Sequence, residues 1–587
     1  MKYWRKGLSL AMAFAVCLSL AACQTEAPQS ESQAFDAFLD RLFVEEMSNT
    51  DLLSQHYKLK DPEALGITPS EPTLGTISLA QMEEDGEEIA QTLAELEAFQ
   101  YDSLTETQQE TYDILKWYLE LGIQGNRFDL YAEPNSPTLG VQSQLPTTLM
   151  EYAFYDETDI QEYLALVNDV GRYLDQCLAF QREKSKAGFF MPDSLAQQVI
   201  DNCKTFVENP ESNYMLEVFD DKLEDIAWLT PEKREEYSAQ NRKAVLNSMV
   251  PGYQRFIQGF EELLGTGRAR GGACDLPDGQ EYYAYLAKSA TGSEKTPLEM
   301  AQAIDDRIDD IWRGLISLAL MDEDILDRVY DSSNAPDVTE PEAILTALSQ
   351  RIQTDYPAIG QVAYQINYVH ESLQESMSPA FYFIPPIDAA NENKIYLNPA
   401  HMDDPVYVFT TLAHEGYPGH LYQTNYALGL DLPNIRRILS FNGYSEGWAT
   451  YVEYDSYSMT GLDGNLAAAI RLLNELSLAV QTRVDIGINY EGWNDEKTGV
   501  FLSEFFQVDD DLINSVTDSV TADPANALSY YIGYLEFQEL REYAEEELGD
   551  AFSAQAFHKA VLDVGEAPFQ VVREAVEAYA GGQEKDR

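Results

Sequence analysis

Two of the six histidines in this chain stand within one short segment, His414-Glu415-Gly416-Tyr417-Pro418-Gly419-His420. A pair of imidazoles one helical turn apart can present nitrogens to one Zn2+. A Glu beside the first His can take a proton from water at the ion, which is the chemistry of HExxH hydrolases. Here the second His comes at i+6 rather than i+4. On an unbroken helix that offset is ~600°, which leaves the rings ~120° apart and unable to share a metal. Pro418 offers a way out, because it cannot donate to the carbonyl of His414 and its ring clashes there. With Gly419 beside it, a two-residue bulge is expected to return His420 to the face of His414. His414 and His420 are therefore the expected ligands and Glu415 the expected general base.

A third ligand should arrive from a neighbouring helix. Ser445-Glu446-Gly447-Trp448-Ala449 follows 26 residues after His420, and Glu446 is the expected ligand. Glu453 lies seven residues further on, on the same helical face, and is placed to orient a ligand His.

The elements that must position these residues read mainly as helix. Apolar side chains recur at a period near 3.6 over Glu83 to Leu96, Gln108 to Leu121 and Asp159 to Phe180. The stretches Pro297 to Met321 and Glu342 to Asp355 read alike. Asp404-Pro405 marks a helix start directly ahead of the His segment, since Asp caps and Pro suits the first turn. The segments Phe381 to Pro386 and Lys394 to Leu397 read as extended, giving a small hairpin or sheet. Lys394 to Leu397 is a candidate edge for a peptide backbone. The glycine-rich Gly265 to Gly272 suggests a boundary between an N-terminal helical lobe, 35–265, and a metal-site lobe, 273–587.

The chain opens with Lys2, Arg5 and Lys6, then an apolar run from Leu8 to Ala22, too short for a membrane span of ~20 residues. It ends in Leu20-Ala21-Ala22-Cys23, the pattern of a bacterial lipobox. A signal peptide over 1–22, lipidation of Cys23 and a polar tether over 23–34 are expected. That makes an exported protein of the bacterial cell envelope, held to a membrane by its lipid. The body retains Cys177, Cys203 and Cys274, of which at most two can pair within one chain. Lys and Arg number 38 against 100 Asp and Glu, a net charge of −62. Such a surface excludes nucleic-acid binding through a basic face and mainly serves solubility, with some attraction for cationic peptides. Nothing in the sequence sets the oligomeric state.

The strings HEGYPGH and SEGWATYVE resemble the DUF885 family of bacterial proteins, many of them lipoproteins, over about 35–580. Pro524 to Tyr534 and Ala556 to Pro568 carry the resemblance further. The family is grouped with zinc peptidases whose third ligand is Glu. The resemblance therefore implies a mainly α, two-lobed metallopeptidase-like fold with a small β element and a deep central channel. It also implies Zn2+ on His414, His420 and Glu446, with Glu415 as base and a peptide as substrate. It points to Tyr530, then His558, as donors to an oxyanion. One position departs from the pattern: Asn489 stands where His is common, and Asn cannot titrate. Two alternatives are a zinc amidohydrolase acting on a non-protein amide and a peptide-binding lipoprotein without turnover.

Overall fold

Side-chain caps set where many of the helices begin. The structure, a computed structural model, describes residues 30–371, 374 and 377–582. Ser30 and Gln33 form a capping box that opens α1 (Glu31–Asn49), so the polar stretch expected as a tether ends at Ser30. The expectations for the signal segment and Cys23 lie outside the described residues. Helix α2 covers Leu79–Leu96. Thr105 with Gln108 opens α3 (Glu106–Gly125), and Asp156 with Asp159 opens α4 (Glu157–Ala187). Helix α5 (Tyr214–Glu224) starts on Asn213. Thr296 with Glu299 opens α6 (Pro297–Met321), and α7 spans Pro341–Arg351. The architecture is mainly α with a small β element.

That element is one mixed sheet of β1 (Tyr364–Tyr368), β2 (Ala380–Phe383) and β3 (Asn393–Leu397), in the order β1-β3-β2. Strand β3 pairs in parallel with β1, Ile366 opposite Ile395, and antiparallel with β2, Tyr382 opposite Ile395. Lys394 to Leu397 is therefore the middle strand, paired on both sides, and not the free edge its extended pattern suggested. The edges are β1 and β2.

The sheet separates two cores. Its Tyr382, Ile395 and Leu397 face packs into the cluster that holds the site helices. Its Phe381 and Tyr396 face packs against a second cluster, built on the buried stripe of α4 (Ile160, Tyr163, Val167, Val170, Leu174). A third cluster joins Phe35, Phe38 and Leu39 of α1 and Leu115 and Leu119 of α3 to Ile435 and Ile438. Helix α1 is thus anchored beside Ile435 and Ile438, which lie in the chain between the two-His segment and Glu446. Cys177, Cys203 and Cys274 are free thiols, the first two buried. Among the described residues no helix is long and apolar enough to cross a membrane.

Candidate metal centre

Asp404 caps α8 (Pro405–Glu415) by accepting from the amides of Val406 and Tyr407, and Pro405 occupies the first turn. The helix then stops at Glu415, and α9 (His420–Leu428) starts afresh. The expected bulge is thus a complete break into two helices. The cause is local: Pro418 lacks an N–H, and Gly416 and Gly419 adopt dihedrals outside the helical region. The amide of Gly419 donates to the carbonyl of Ala413 at 2.9 Å, folding the chain back on itself. A Cβ on Gly419 would stand 1.7 Å from the carbonyl oxygen of His414, so only glycine fits.

The break brings the imidazoles together, with ring centroids 4.9 Å apart. Glu446 comes from α10 (Asn442–Ser456). Its Oε2 lies 3.6 Å from His414 Nε2 and 3.4 Å from His420 Nε2. One ligand atom from each of the three lies within 4.8 Å of the other two. Tetrahedral zinc ligands at ~2.1 Å stand ~3.4 Å apart, so the donor set and the two carboxylate–imidazole separations suit Zn2+. His414 Nδ1 donates to Glu453 Oε2 at 3.0 Å, which leaves Nε2 free to ligate. Burial opposes charge on His414, yet its hydrogen bonds to Glu446 and Glu453 hold its pKa well above the usual imidazole value. Burial likewise opposes charge on Glu446, and the two histidines hold its pKa well below the usual carboxylate range. Glu415 is buried, and its Oε2 accepts from the backbone amide of Tyr382 on β2 at 2.7 Å.

Tyr530 lies on α12 (Asn526–Leu548), its ring 6.5 Å from that of His414. Burial first, then the charges of Glu446 and Glu415, raise its pKa above the usual phenol value and keep the hydroxyl protonated. Helix packing brings it there. A Cβ on Gly447 would stand 2.5 Å from Gly533 Cα, and a Cβ on Gly533 would stand 2.2 Å from the carbonyl oxygen of Gly443. The backbones of α10 and α12 therefore touch, and Tyr530, one turn before Gly533, is drawn to the triad. The four-residue spacing of Gly443 and Gly447 beside Glu446 is the signal in the sequence that could have shown this approach.

Trp448 is fully buried and its indole N–H donates to the carbonyl of Pro418 at 2.9 Å, pinning the helix break to α10. Glu566 is a further residue that sequence reasoning missed. Its carboxylate accepts from the amide of Phe441, just ahead of α10, and burial pushes its pKa up to about 7.

His558, on α13 (Ala554–Leu562), is not brought to the triad by any contact described. Its Nδ1 donates to the carbonyl of Asp355 at 2.6 Å and its Nε2 accepts from the Tyr451 hydroxyl at 2.9 Å. Both nitrogens are committed, so it has no donor left for an oxyanion. Asn489 is also structural. It ends α11 (Gly464–Asn489), donates to Asp485 and to the carbonyl of Val520, and accepts from the amide of Ala273. It thereby clamps the end of the Gly265–Gly272 segment to α11.

Behind the break, Tyr417 and Tyr422 line a cavity of about 760 Å3 with Ile352, Gln353 and residues 356–364. A cavity of about 720 Å3 lies across the sheet from α8, against β1.

The family model described as bacterial proteins of unknown function, DUF885, matches residues 62–576. No curated protein matches the chain significantly. A solved candidate lipoprotein of Colwellia psychrerythraea superposes with a TM-score of 0.84 at 20% identity, covering 94% of this chain and all of that one. A candidate lipoprotein of unknown function from Shewanella oneidensis gives 0.62 at 16% identity, covering 93% of this chain and 99% of its own. At these identities the likeness shows the shared fold alone.

Proposed function

Because the chain belongs to the DUF885 family of bacterial proteins of unknown function, its activity has to be read from the site, and we propose a zinc-dependent peptidase. The observation that supports this most directly is the convergence of His414, His420 and Glu446, with Glu446 Oε2 at 3.6 and 3.4 Å from the two imidazoles and all three ligand atoms within 4.8 Å of one another, beside the carboxylate of Glu415. His414, His420 and Glu446 would hold the ion. When bound, zinc supplies a Lewis acid that acidifies water and polarises a carbonyl.

The protein's own groups divide the remaining work. Glu453 fixes the His414 tautomer and raises its basicity through the 3.0 Å hydrogen bond. Glu415 takes the proton of the attacking water and returns it to the leaving amine, so no net proton is consumed. The amide of Tyr382 holds the Glu415 carboxylate in place for this. Tyr530 remains a protonated donor and offers its hydroxyl to the oxyanion that develops on the scissile carbonyl.

The sequence also supports an address. The lipobox-like Leu20-Ala21-Ala22-Cys23 fits the description of both structural neighbours as candidate lipoproteins. We therefore place the peptidase at the bacterial cell envelope, carried by a lipid on Cys23.

Metal analysis of the purified protein and a peptide-library digest test the reading together. About one zinc per chain, cleavage by the native protein and none by Glu415→Gln support it. A protein that carries no zinc overturns the metal reading. Zinc with no peptide cleavage turns the assignment to another amide or to binding without turnover.

A further inference from the structure

Strands β1 and β2 are both edges of the sheet, but only β2 is engaged by Glu415. The amide of Val369, just past β1, donates to the carbonyl of Leu397 on β3. Backbone groups of a strand alternate in direction, so Gln365 and Asn367 also face β3. Tyr364, Ile366 and Tyr368 then turn their N–H and C=O groups to the open side. No hydrogen bond to these six groups is found among the described residues. Exposed edges are commonly blunted with Lys, Pro or inward charges. The β1 sequence, Tyr-Gln-Ile-Asn-Tyr, has none of these, and Tyr368 is 54% exposed.

The open edge does not face bulk solvent alone. Residues 365–370 form one wall of the cavity of about 720 Å3, within the ~300–1,000 Å3 range of ligand sites. The floor is Phe381 and Tyr396 of the sheet. The facing wall includes Asp221 and Asp225 of α5 and the turn that follows it. With Glu217 these make an acidic row at four-residue spacing, along one face of the helix. Glu217 Oε2 lies 3.9 Å from His370 Nε2, at the cavity wall. Lys222, the cation between them, is committed inward, with Nζ donating to the carbonyls of Met150 and Tyr152.

We propose that this groove binds an extended cationic peptide, which adds a strand to the free edge of β1 and places basic side chains against Asp221 and Asp225. The edge supplies main-chain hydrogen bonds and the acidic wall selects the partner by charge. The site lies across the sheet from Glu415 and is separate from the proposed metal centre. The peptide held there is a segment of a bound partner, and its binding does not need the metal.

The test uses the full chain carrying Glu415→Gln, so that no probe is cleaved, with and without a chelator. The probes are a fluorescein-labelled eight-residue peptide alternating Lys and Val and its Glu-for-Lys counterpart, followed by anisotropy at physiological salt. The Lys peptide should bind at least tenfold more tightly than the Glu peptide, equally with and without chelator. Ile366→Pro removes an outward N–H and no ladder bond, and should weaken binding at least tenfold, whereas Ile366→Ala should change it less than threefold. Hydrogen exchange on the parent protein should show the Ile366 and Tyr368 amides protected by the Lys peptide, which settles the matter if the proline variant misfolds. Equal binding of both probes, or binding of the Lys peptide without protection of those amides, overturns the proposal. Binding lost on chelation also overturns it. Failure of the peptidase reading would instead appear as missing zinc or missing cleavage, with this binding intact.

Discussion

Around His414 the neighbours are carboxylates, whereas around His558 they are rings. Both imidazoles are buried, and both lie in segments that the sequence marks as candidates for chemistry. His414 has Glu446 at 3.6 Å and Glu453 at 3.0 Å, and these partners overcome burial to hold its pKa above the usual value. His558 stacks on Tyr356 at 4.1 Å and meets the edge of Trp448 at 5.6 Å. Its acceptor is a neutral carbonyl, and burial pushes its pKa down to about 3. Burial alone makes a histidine a neutral packing group, whereas a carboxylate on one ring nitrogen fixes the tautomer and raises the basicity of the other. The two regions still depend on one another. Trp448 touches His558 on one side and holds the carbonyl of Pro418 on the other, so the aromatic region buttresses the helix break.

The largest test of the contrast deletes each imidazole in turn. His414→Ala should lower zinc content from about one ion per chain to less than ~0.1, because a three-ligand site loses a member. His558→Phe should keep zinc near one per chain. Plasma mass spectrometry of the two proteins decides it, and equal metal loss from both would erase the distinction.

Next in size is the break itself. Gly419→Ala places a methyl on the carbonyl of His414 and should cost about 3 kcal/mol in denaturant unfolding, as other overpacked sites do. Gly464, whose Cβ would meet nothing within 4 Å, serves as the control and should change little. A third test uses pH. His558 is neutral when folded, with a pKa of about 3, and regains an ordinary value near 6.5 when unfolded. Its contribution is complete above pH ~6.5 and is lost as pH falls toward 3, with a slope of up to ~1.4 kcal/mol per unit. From pH 7 to pH 5 the protein should lose about 2 kcal/mol through this group. His558→Phe should be less stable at pH 7, since Tyr451 and the carbonyl of Asp355 lose their partner, yet decline less steeply. Urea melts at both pH values provide the comparison, and parallel declines would sink it.

The sequence shows part of this arrangement and hides the rest for physical reasons. Asp404-Pro405 is readable because capping is local, and the failure of i+6 spacing on a regular helix is readable because geometry is periodic. Glu446 and Glu453 share a face for the same reason, and both reach the histidines. The form of the break is not readable. A Pro-Gly pair permits a bulge or a stop, and the bond from Trp448 to Pro418 spans thirty residues. Nor does the letter His separate His414 from His558, since only the folded neighbours differ. The amide of Tyr382 leaves no mark at all, because every residue but proline carries one. Strand β1 has too weak an alternation to be noticed, and without it Lys394 to Leu397 reads as an edge when it is the centre.

The smallest change should come from making one region resemble the other. In Glu453→Gln the partner of His414 Nδ1 becomes a neutral carbonyl acceptor, as Asp355 is for His558. The hydrogen bond and the tautomer survive, while the negative charge that raises imidazole basicity is lost. Zinc affinity in a competition titration with a coloured chelator should fall roughly tenfold, at the low end for a lost supporting carboxylate. Glu453→Ala, which frees the ring as well, should cost more. If Glu453→Gln binds zinc as tightly as the native protein, the carboxylate only orients the ring. The contrast between the two histidines would then rest on Glu446 alone.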